Sequence, residues 1–245
     1  MANIPATSFS RLKNYEQCGH RARLAYIDRI KEPPQGELPP GQEHPNDRGT
    51  RVHNEAERYV REGGALIPEL KDFKDEFDTL RTLFQKDDVE LEQMWLYDKD
   101  WESLPDNDPF SKKIWLRIKC DAVIWRGDTE IVVIDYKTGK RSGKEVEHAE
   151  QCQLYQLGAF KRYPAVNKVT TELWYTDQNE LVPMTFTRAQ GLRYHEPWTQ
   201  RLIKMTTDEE LKPNPNIYSC RWCPYKTGQL RKGTQGTGDC DLNPE

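Results

Sequence analysis

The sequence predicts an α/β domain in which a central mixed β-sheet is flanked by helices. Residues 114–125, IWLRIKCDAVIW, alternate apolar and polar side chains with a period of two, and residues 131–137, IVVIDYK, are rich in β-branched side chains. Both patterns are typical of β-strands. The segment Arg126-Gly127-Asp128 interrupts the apolar pattern between them. We therefore expect the two strands to form a hairpin.

The length of 245 residues fits one large domain, residues 1–245. Hydrophobic residues make up 36% of the chain and charged residues 31%, which is typical of a soluble globular protein. There is no run of about 18 uncharged apolar residues, and the first residues, MANIPATSFSRL, lack the apolar stretch of a signal peptide. We therefore expect a cytoplasmic protein, in the host cytoplasm if a phage encodes it, with no membrane partner.

The formal net charge of −4 gives no global indication of nucleic-acid binding, which normally relies on an excess of lysine and arginine. Any contact with DNA must therefore use local basic patches. One candidate patch lies near the start of the chain and consists of Arg11, Lys13, Arg21, Arg23 and Arg29. A solvated helix face explains these bases equally well.

Caps and turn residues divide the rest of the chain into predicted elements. Ser8 is a candidate cap of an N-terminal helix that breaks near Cys18-Gly19, and Gly63-Gly64 is expected to end a later helix. Residues 32–45 contain five prolines and read as a loop. The predicted helices cover about 8–30, 47–61, 68–85, 146–163 and 195–207, the further strands cover 89–97, 168–175 and 181–186, and an irregular tail follows residue 213.

The hairpin carries the residues that point to chemistry. Asp135 and Lys137 are two apart on one strand, so the pleat directs both side chains to one face. Asp121 lies on the other strand. It shares a face with Asp135 only if the connecting loop has an odd number of residues, for example Gly127-Asp128-Thr129, or if a bulge shifts the register.

Two aspartates at this place would suit a magnesium ion. Magnesium prefers hard oxygen ligands, and the carbonyl of Tyr136 would add one to the carboxylates of Asp121 and Asp135. Lys137 would then orient a water nucleophile or offset charge in the transition state. The alternative is that the segment DYKTGK, residues 135–140, is only a strand that runs into a polar turn with an ion pair.

Further motifs occur in a fixed order around this hairpin. A G-x-x-x-H-x-x-x-E pattern precedes it, Glu90 or Glu92 lies on the intervening strand, and a Q-x-x-x-Y pattern follows it. In this order the sequence resembles the PD-(D/E)XK nuclease superfamily, specifically its RecB-like branch, which includes CRISPR-associated and phage recombination exonucleases. The residues that carry the resemblance are Gly49, His53, Glu57, Asp121, Asp135, Lys137, Gln151 and Tyr155.

The resemblance implies a restriction-endonuclease-like core and a role for each motif. By the family's pattern His53, Asp121 and Asp135 would bind one or two Mg²⁺ or Mn²⁺ ions, and Lys137 would serve the attacking water. Gln151 and Tyr155 would contact DNA phosphate or support the site, as would Glu57. Gln151 and Tyr155 lie at i and i+4, hence on one helix face. The other histidines have no such support: His20, His44, His148 and His195.

Four of the six cysteines suggest a second metal site. Cys220 and Cys223 form a C-x-x-C motif, and Cys18 lies where related nucleases place the first ligand of an iron–sulfur cluster. Cys240 would be the fourth ligand, although relatives place it closer to the C-x-x-C. The resulting clasp would join the N-terminal helix to the tail, residues 213–245, around a 4Fe–4S cluster or, less favoured, zinc. Reduced thiols without metal are the alternative. Cys120 and Cys152 are expected in the core.

The function predicted from these residues is metal-dependent hydrolysis of DNA, at single strands or duplex ends, in DNA recombination, repair or processing. The resemblance implies an exonuclease and a recombination or replication protein as partner. The main alternative is a DNA-binding or assembly module with little or no cleavage, and an RNA-processing nuclease is a third. The intact set of Asp121, Asp135 and Lys137 favours the nuclease.

Overall fold

The structure is a computed structural model that describes residues 3–106, 108, 110–230 and 234–242. Its helices are α1 Phe9–Gln17, α2 Gly19–Tyr26, α3 Pro45–Glu62, a 3-10 helix Pro68–Phe73, α4 Lys74–Phe84, α5 Glu145–Arg162, α6 Arg188–Leu192, α7 His195–Thr207 and α8 Ile217–Cys220. Its strands are β1 Thr7–Ser8, β2 Val89–Tyr97, β3 Ser103–Leu104, β4 Leu116–Arg126, β5 Glu130–Lys137, β6 Lys168–Tyr175 and β7 Glu180–Thr187.

The chain divides into two compact units. The central unit is Glu43–Trp198, and the terminal unit combines Met1–Gln42 with Thr199–Glu245. The expectation of a single domain over residues 1–245 stays a prediction. Within the described residues, no helix has both the length and the apolar character needed to cross a membrane.

Six strands of the central unit form one mixed sheet in the order β3-β2-β4-β5-β6-β7. The pairing of β5 with β6 is parallel, and the other neighbours are antiparallel. Helices pack against this sheet, so the predicted α/β fold with a central mixed sheet is confirmed. The strand predicted at 168–175 has those bounds in the structure, and so does the one at 89–97.

The hairpin has the odd-numbered loop that the shared face of its aspartates requires. Arg126 pairs with Glu130, which leaves residues 127–129 as a three-residue loop. Gly127 has φ +66°, a left-handed conformation that glycine adopts without steric cost. The paired register runs from there to Ala122 and Ile134. The ladder ends at that pair, and beyond it Asp121 Oδ2 accepts the backbone N–H of Tyr136 at 2.7 Å.

The two faces of the sheet are covered by different helices. Helices α3 and α4 and the 3-10 helix pack with β2, β4, β5 and β6 in an apolar cluster that includes Val52, Phe77 and Tyr136. Helix α5 covers the other face. It approaches closely because it carries Gly158, where a Cβ atom would lie 2.6 Å from Ile118 Cδ1. Because alternate residues of a strand face opposite sides, Tyr136 points toward α3 and α4, and Asp135 points toward α5.

The terminal unit is held by contacts between its two chain segments. The hydroxyl of Tyr15 donates to Asp208 Oδ2 at 2.7 Å, and Arg201 forms a two-pronged ion pair with Glu16 at 2.7 and 2.8 Å. Gly19 is required where α2 begins, since a Cβ atom there would lie 2.8 Å from the backbone carbon of Leu211. The beginning and the end of the chain therefore fold together in this unit.

Local signals in the sequence account for several element boundaries. Ser8 accepts a hydrogen bond from the backbone N–H of Arg11 at 3.4 Å and so caps α1. Cys18 has an extended backbone between α1 and α2, which is the expected break. Helix α3 ends at Gly63, with φ +83°.

Other boundaries differ from the prediction. The helix expected over 68–85 begins as a 3-10 helix and becomes α-helical at Lys74. Ile114 lies before β4 rather than on its apolar face, although it is buried. The short elements β1, β3, α6 and α8 were not predicted, because two to five residues carry too little periodicity to be recognised.

Candidate metal centre

The centre lies where the pairing of β4 and β5 ends. The backbone N–H of Tyr136 donates to Asp121 Oδ2 at 2.7 Å, and this bond is buried. The carboxylate therefore replaces the backbone acceptor that a continuing ladder would supply. Asp121 and Asp135 are each 6% exposed, which is unusual for aspartate and means that each carboxylate needs nearby partners.

Helix α3 brings a histidine to Asp121. The Nδ1 atom of His53 lies 3.0 Å from Asp121 Oδ1, and the imidazole packs edge-on against the ring of Tyr136 with centroids 5.7 Å apart. Burial acts to lower the pKa of His53, but the hydrogen bond and the charge of Asp121 outweigh it and the pKa is raised. A neutral imidazole carries its proton on one ring nitrogen, so the other nitrogen of His53 offers a lone pair that could bind a metal ion.

Strand β2 adds Glu92 to this group. Ligand atoms of His53, Glu92 and Asp121 all lie within 4.8 Å of one another, and no other set of three or more His, Cys, Asp or Glu side chains among the described residues is so compact. Glu92 has φ +53° inside a strand. Such a conformation costs a non-glycine residue about 1–3 kcal/mol, and strain of this kind concentrates at functional sites.

Asp135 belongs to a second, adjoining network rather than to that compact group. Its Oδ1 accepts from the hydroxyl of Tyr155 and, at 3.3 Å, from Gln151 Nε2. Its Oδ2 lies 2.6 Å from Lys137 Nζ, an ion pair rather than a directed hydrogen bond, since the same buried oxygen has no hydrogen-bond donor. The charge of Asp135 also contributes to the raised pKa of His53, so the two networks interact.

Lys137 and helix α5 complete the second network. Lys137 Nζ donates to Gln151 Oε1 at 2.7 Å, and Gln151 Nε2 donates to the Tyr155 hydroxyl at 2.7 Å. The side chain of Lys137 is 18% exposed, so its amine lies near the surface of the site. The i, i+4 pair on α5 thus contacts both Asp135 and Lys137.

Asp177, which the sequence analysis did not single out, links the turn that follows β5 to the start of α3. Arg48 forms a two-pronged ion pair with Asp177 at 2.8 and 2.6 Å. Asp177 also accepts the backbone N–H of Gly139 at 2.7 Å. Glu57, predicted as site support, is paired with Arg61 at 2.8 Å. Its charge nevertheless acts on Tyr136 and Lys119.

The donor set fits a divalent cation. Mg²⁺ prefers oxygen ligands only, and it usually keeps several bound waters. A set of carboxylates with one imidazole therefore suits Mn²⁺, or an Mg²⁺ ion that keeps part of its water shell. Asp135 Oδ2, which accepts no hydrogen bond but is ion-paired with Lys137, and the compact group around Asp121 both offer carboxylate oxygens at one end of the hairpin. The roles predicted for Asp135, for the Tyr136 carbonyl and for Glu57 stay predictions.

The four cysteines of the predicted clasp meet in the terminal unit. They line one cavity together with Arg21 and Lys226: Cys18, Cys220, Cys223 and Cys240. All six cysteines lie in described residues and are free thiols. No three of the four sulfurs lie within 4.8 Å of one another. Cys120 and Cys152 are fully buried in the central unit, as expected of core residues.

Three of the four clasp cysteines have a local backbone donor or turn that positions them. The backbone N–H of Asn214 lies 3.4 Å from Cys18 Sγ, and that of Asn216 lies 3.4 Å from Cys220 Sγ. Cys223 N–H donates to the Cys220 carbonyl at 3.0 Å, which closes the C-x-x-C turn. Burial is the main cause of the raised pKa of Cys223 and of Cys240.

The remaining histidines lie apart from the compact group. His148 accepts or donates through Nδ1 to the Tyr175 hydroxyl at 2.7 Å and is buried on α5. Burial, aided by the charge of Lys137, lowers its pKa to about 4. His195 packs against the ring of Trp101.

The protein thus combines an α/β fold, built on a mixed sheet, with a candidate site for a divalent cation. That site is a histidine–carboxylate group at the end of a hairpin. The family model of the PD-(D/E)XK nuclease superfamily matches residues 6–227. The chain therefore belongs to the PD-(D/E)XK nuclease superfamily, a family of metal-dependent nucleases.

A comparison with solved structures finds a similar chain titled "Crystal structure of SSO0001". The similarity covers 91% of this chain and 85% of that chain, with 15% sequence identity and a TM-score of 0.36. A comparison with curated proteins finds no matching sequence.

Proposed function

We propose that this protein is a DNA exonuclease of the RecB-like branch that hydrolyses phosphodiester bonds with one or two Mg²⁺ or Mn²⁺ ions. The observation that carries the proposal is that His53, Glu92 and Asp121 gather within 4.8 Å beside the Asp135–Lys137 ion pair. The three clustered residues offer metal ligands. The ion pair offers the ammonium of Lys137 and a further carboxylate, that of Asp135. Membership of the nuclease superfamily supports the same chemistry.

The ligands of the ion would come from three strands and one helix. His53, Glu92 and Asp121 would form one side of the site, and Asp135 Oδ2 would form the other. A bound divalent cation supplies Lewis acidity toward the phosphate and lowers the pKa of a bound water. Tyr136 serves through its backbone, since its N–H fixes the carboxylate of Asp121 and its carbonyl is the further proposed ligand.

Lys137 would orient the attacking water and offset negative charge on the phosphate. Its amine lies between Asp135 Oδ2 at 2.6 Å and Gln151 Oε1 at 2.7 Å, so its position is fixed from two sides. A fixed cation requires little reorganisation when charge develops, which is the basis of electrostatic catalysis. Gln151 and Tyr155 hold this pair in place, and Glu57 supports the site through its charge.

The proposed substrate is DNA, as a single strand or a duplex end, in recombination, repair or another DNA-processing reaction. Digestion of linear end-labelled DNA in Mg²⁺ or Mn²⁺, with covalently closed circular DNA as the control, tests this. An exonuclease degrades only the linear substrates. Cleavage of the circle would show an endonuclease, whereas DNA binding without any cleavage would favour a non-catalytic module. Digestion of RNA alone would contradict the choice of substrate.

We also propose that the cysteine clasp binds a 4Fe–4S cluster. A tetrahedral zinc site with Zn–S bonds of about 2.3 Å would bring its sulfurs to about 3.8 Å from one another. No three of the four sulfurs lie within 4.8 Å of one another, which favours the larger cluster over a zinc site. The ligands would be Cys18, Cys220, Cys223 and Cys240.

An anaerobic absorbance spectrum with iron and zinc analysis tests the clasp. The proposal predicts a visible charge-transfer band and about four irons per chain. Cys220→Ser should remove both, and Cys152→Ala, which changes a buried cysteine of the other unit, should keep both. Zinc or no metal in the anaerobically purified chain would contradict the cluster.

The cell compartment and partner follow from the same proposal. Six cysteines, none of them in a disulfide, are typical of a reducing compartment, which supports the cytoplasm as the site of action. A DNA end processed there would pass to a recombination or replication protein, the class of partner that we propose.

A further inference from the structure

A lysine lies against the glutamate of the proposed metal-binding group, which consists of His53, Glu92 and Asp121. Lys119 Nζ is 2.5 Å from Glu92 Oε2, and the side chains are 54% and 21% exposed. Lys119 lies on β4, two residues before Asp121, and pairs with Met94 on β2. Its amine therefore reaches Glu92 from the neighbouring strand at the solvent edge of the group.

The surroundings keep the Lys119 amine positively charged. A lysine ammonium is ordinarily protonated at neutral pH. The carboxylate of Glu92, 2.5 Å from the amine, favours that charged form. Two cations, the ammonium and a metal ion, would thus share one carboxylate.

A carboxylate oxygen that accepts a close ammonium is a weaker metal ligand, because the ammonium occupies its lone pairs and repels the ion. His53 and Asp121 differ from Glu92 in this respect. They contact each other at 3.0 Å, and Asp121 is otherwise held by the Tyr136 N–H. Glu92 is the member of the group that a charged side chain holds at the edge.

We propose that Lys119 is a positioning residue that holds Glu92 in the metal-free site and competes with the divalent cation for its carboxylate. This inference rests on the proposed metal centre, and it adds that Glu92 exchanges its ammonium partner for the ion when the site is loaded. Lys119 therefore sets the metal affinity of the centre without being a ligand. It acts only through Glu92.

Calorimetric titration of the full chain with Mn²⁺ tests this through a double-mutant cycle. Lys119→Met should tighten Mn²⁺ binding about two- to fivefold, the equilibrium equivalent of a partly exposed ion pair. Glu92→Gln should weaken binding. In the Glu92→Gln background, Lys119→Met should have no further effect, since the carboxylate for which it competes is absent.

Lys168→Met is the matched control. Lys168 is also a strand lysine paired with a glutamate, Glu130, at 2.9 Å, and it lies on β6 outside the metal-binding group. Its substitution should leave Mn²⁺ affinity unchanged. Thermal unfolding without metal checks that each variant folds.

Three outcomes overturn the inference. Equal tightening by Lys119→Met in both backgrounds would show a general electrostatic effect, and unchanged or weaker binding in the wild-type background would show that Lys119 does not compete. Both leave the proposed metal centre intact. A wild-type chain that binds no Mn²⁺ would overturn the centre itself and this inference with it.

Discussion

The carboxylate of Asp121 accepts the backbone N–H of Tyr136 at 2.7 Å, at the point where β4 and β5 separate. One oxygen thereby closes the sheet, and the other faces His53 at 3.0 Å. The same side chain therefore stabilises the hairpin and forms the centre.

Two substitutions of Asp121 should separate these roles. Asp121→Asn keeps an acceptor for the Tyr136 N–H and should leave stability nearly unchanged, whereas Asp121→Ala leaves that buried donor unpaired and should cost about 1–3 kcal/mol. Both should abolish metal-dependent cleavage. Urea denaturation of the two variants measures the difference, and equal stability would contradict the proposed role of the bond.

The hydroxyl of Tyr155 should matter for activity more than for folding. Tyr155→Phe preserves the buried ring but removes the hydrogen bond to Asp135 Oδ1. Loss of a residue that orients a metal ligand typically reduces activity or metal affinity about 10- to 100-fold. Single-turnover cleavage rates measure this. Tyr163→Phe is the control, because its hydroxyl accepts from Arg162 at 3.2 Å and does not contact Asp135. Similar rates for the two variants would refute the role of Tyr155.

Lys137→Met should lower the cleavage rate about 10²- to 10³-fold and leave Mn²⁺ binding largely intact, because the amine is proposed to act on the reacting groups and not on the ion. Lys140→Met, in the exposed turn just after β5, serves as the control and should retain activity. Rates and Mn²⁺ affinities measured together give the result. A Lys137→Met variant that loses metal binding in proportion to activity would instead place the lysine among the groups that build the site.

Stability should fall with acid because of His148. Its folded-state pKa is about 4, below the ordinary value of 6.5, so protonation favours the unfolded chain. The stability is present above pH 6.5 and is lost progressively as the pH falls toward 4. Between pH 7 and pH 5 this loss is about 2 kcal/mol for one histidine. His148→Asn keeps a polar partner for the Tyr175 hydroxyl and should reduce the pH dependence by that amount. An unchanged pH dependence in denaturation experiments would contradict the assignment.

Most of the fold prediction rested on the periodic spacing of apolar residues along the chain. The long elements, such as β2 and β6, follow from alternation and β-branched composition over eight or nine residues. Whether Asp121 and Asp135 share a face depended in part on loop length, which the sequence alone left open, and the loop has three residues.

Some contacts could not be read from the chain. The sequence left the choice between Glu90 and Glu92 open, and the structure places Glu92, with φ +53°, in the compact group. The ion pair of Arg48 with Asp177 joins residues 129 positions apart. The contact of Lys119 with Glu92 exists only because β2 and β4 pair in the sheet. Such contacts depend on tertiary packing, which single-sequence patterns do not encode.

The central claim is that the separation point of β4 and β5 binds a divalent cation through Asp121. Electron paramagnetic resonance of free Mn²⁺, recorded while wild type, Asp121→Asn and Glu130→Gln are added, tests it most directly. Glu130→Gln alters an exposed ion pair at the other end of β5. We expect wild type and Glu130→Gln to remove one or two equivalents of the Mn²⁺ signal and Asp121→Asn to remove little. Equal depletion of the signal by all three proteins would contradict the account.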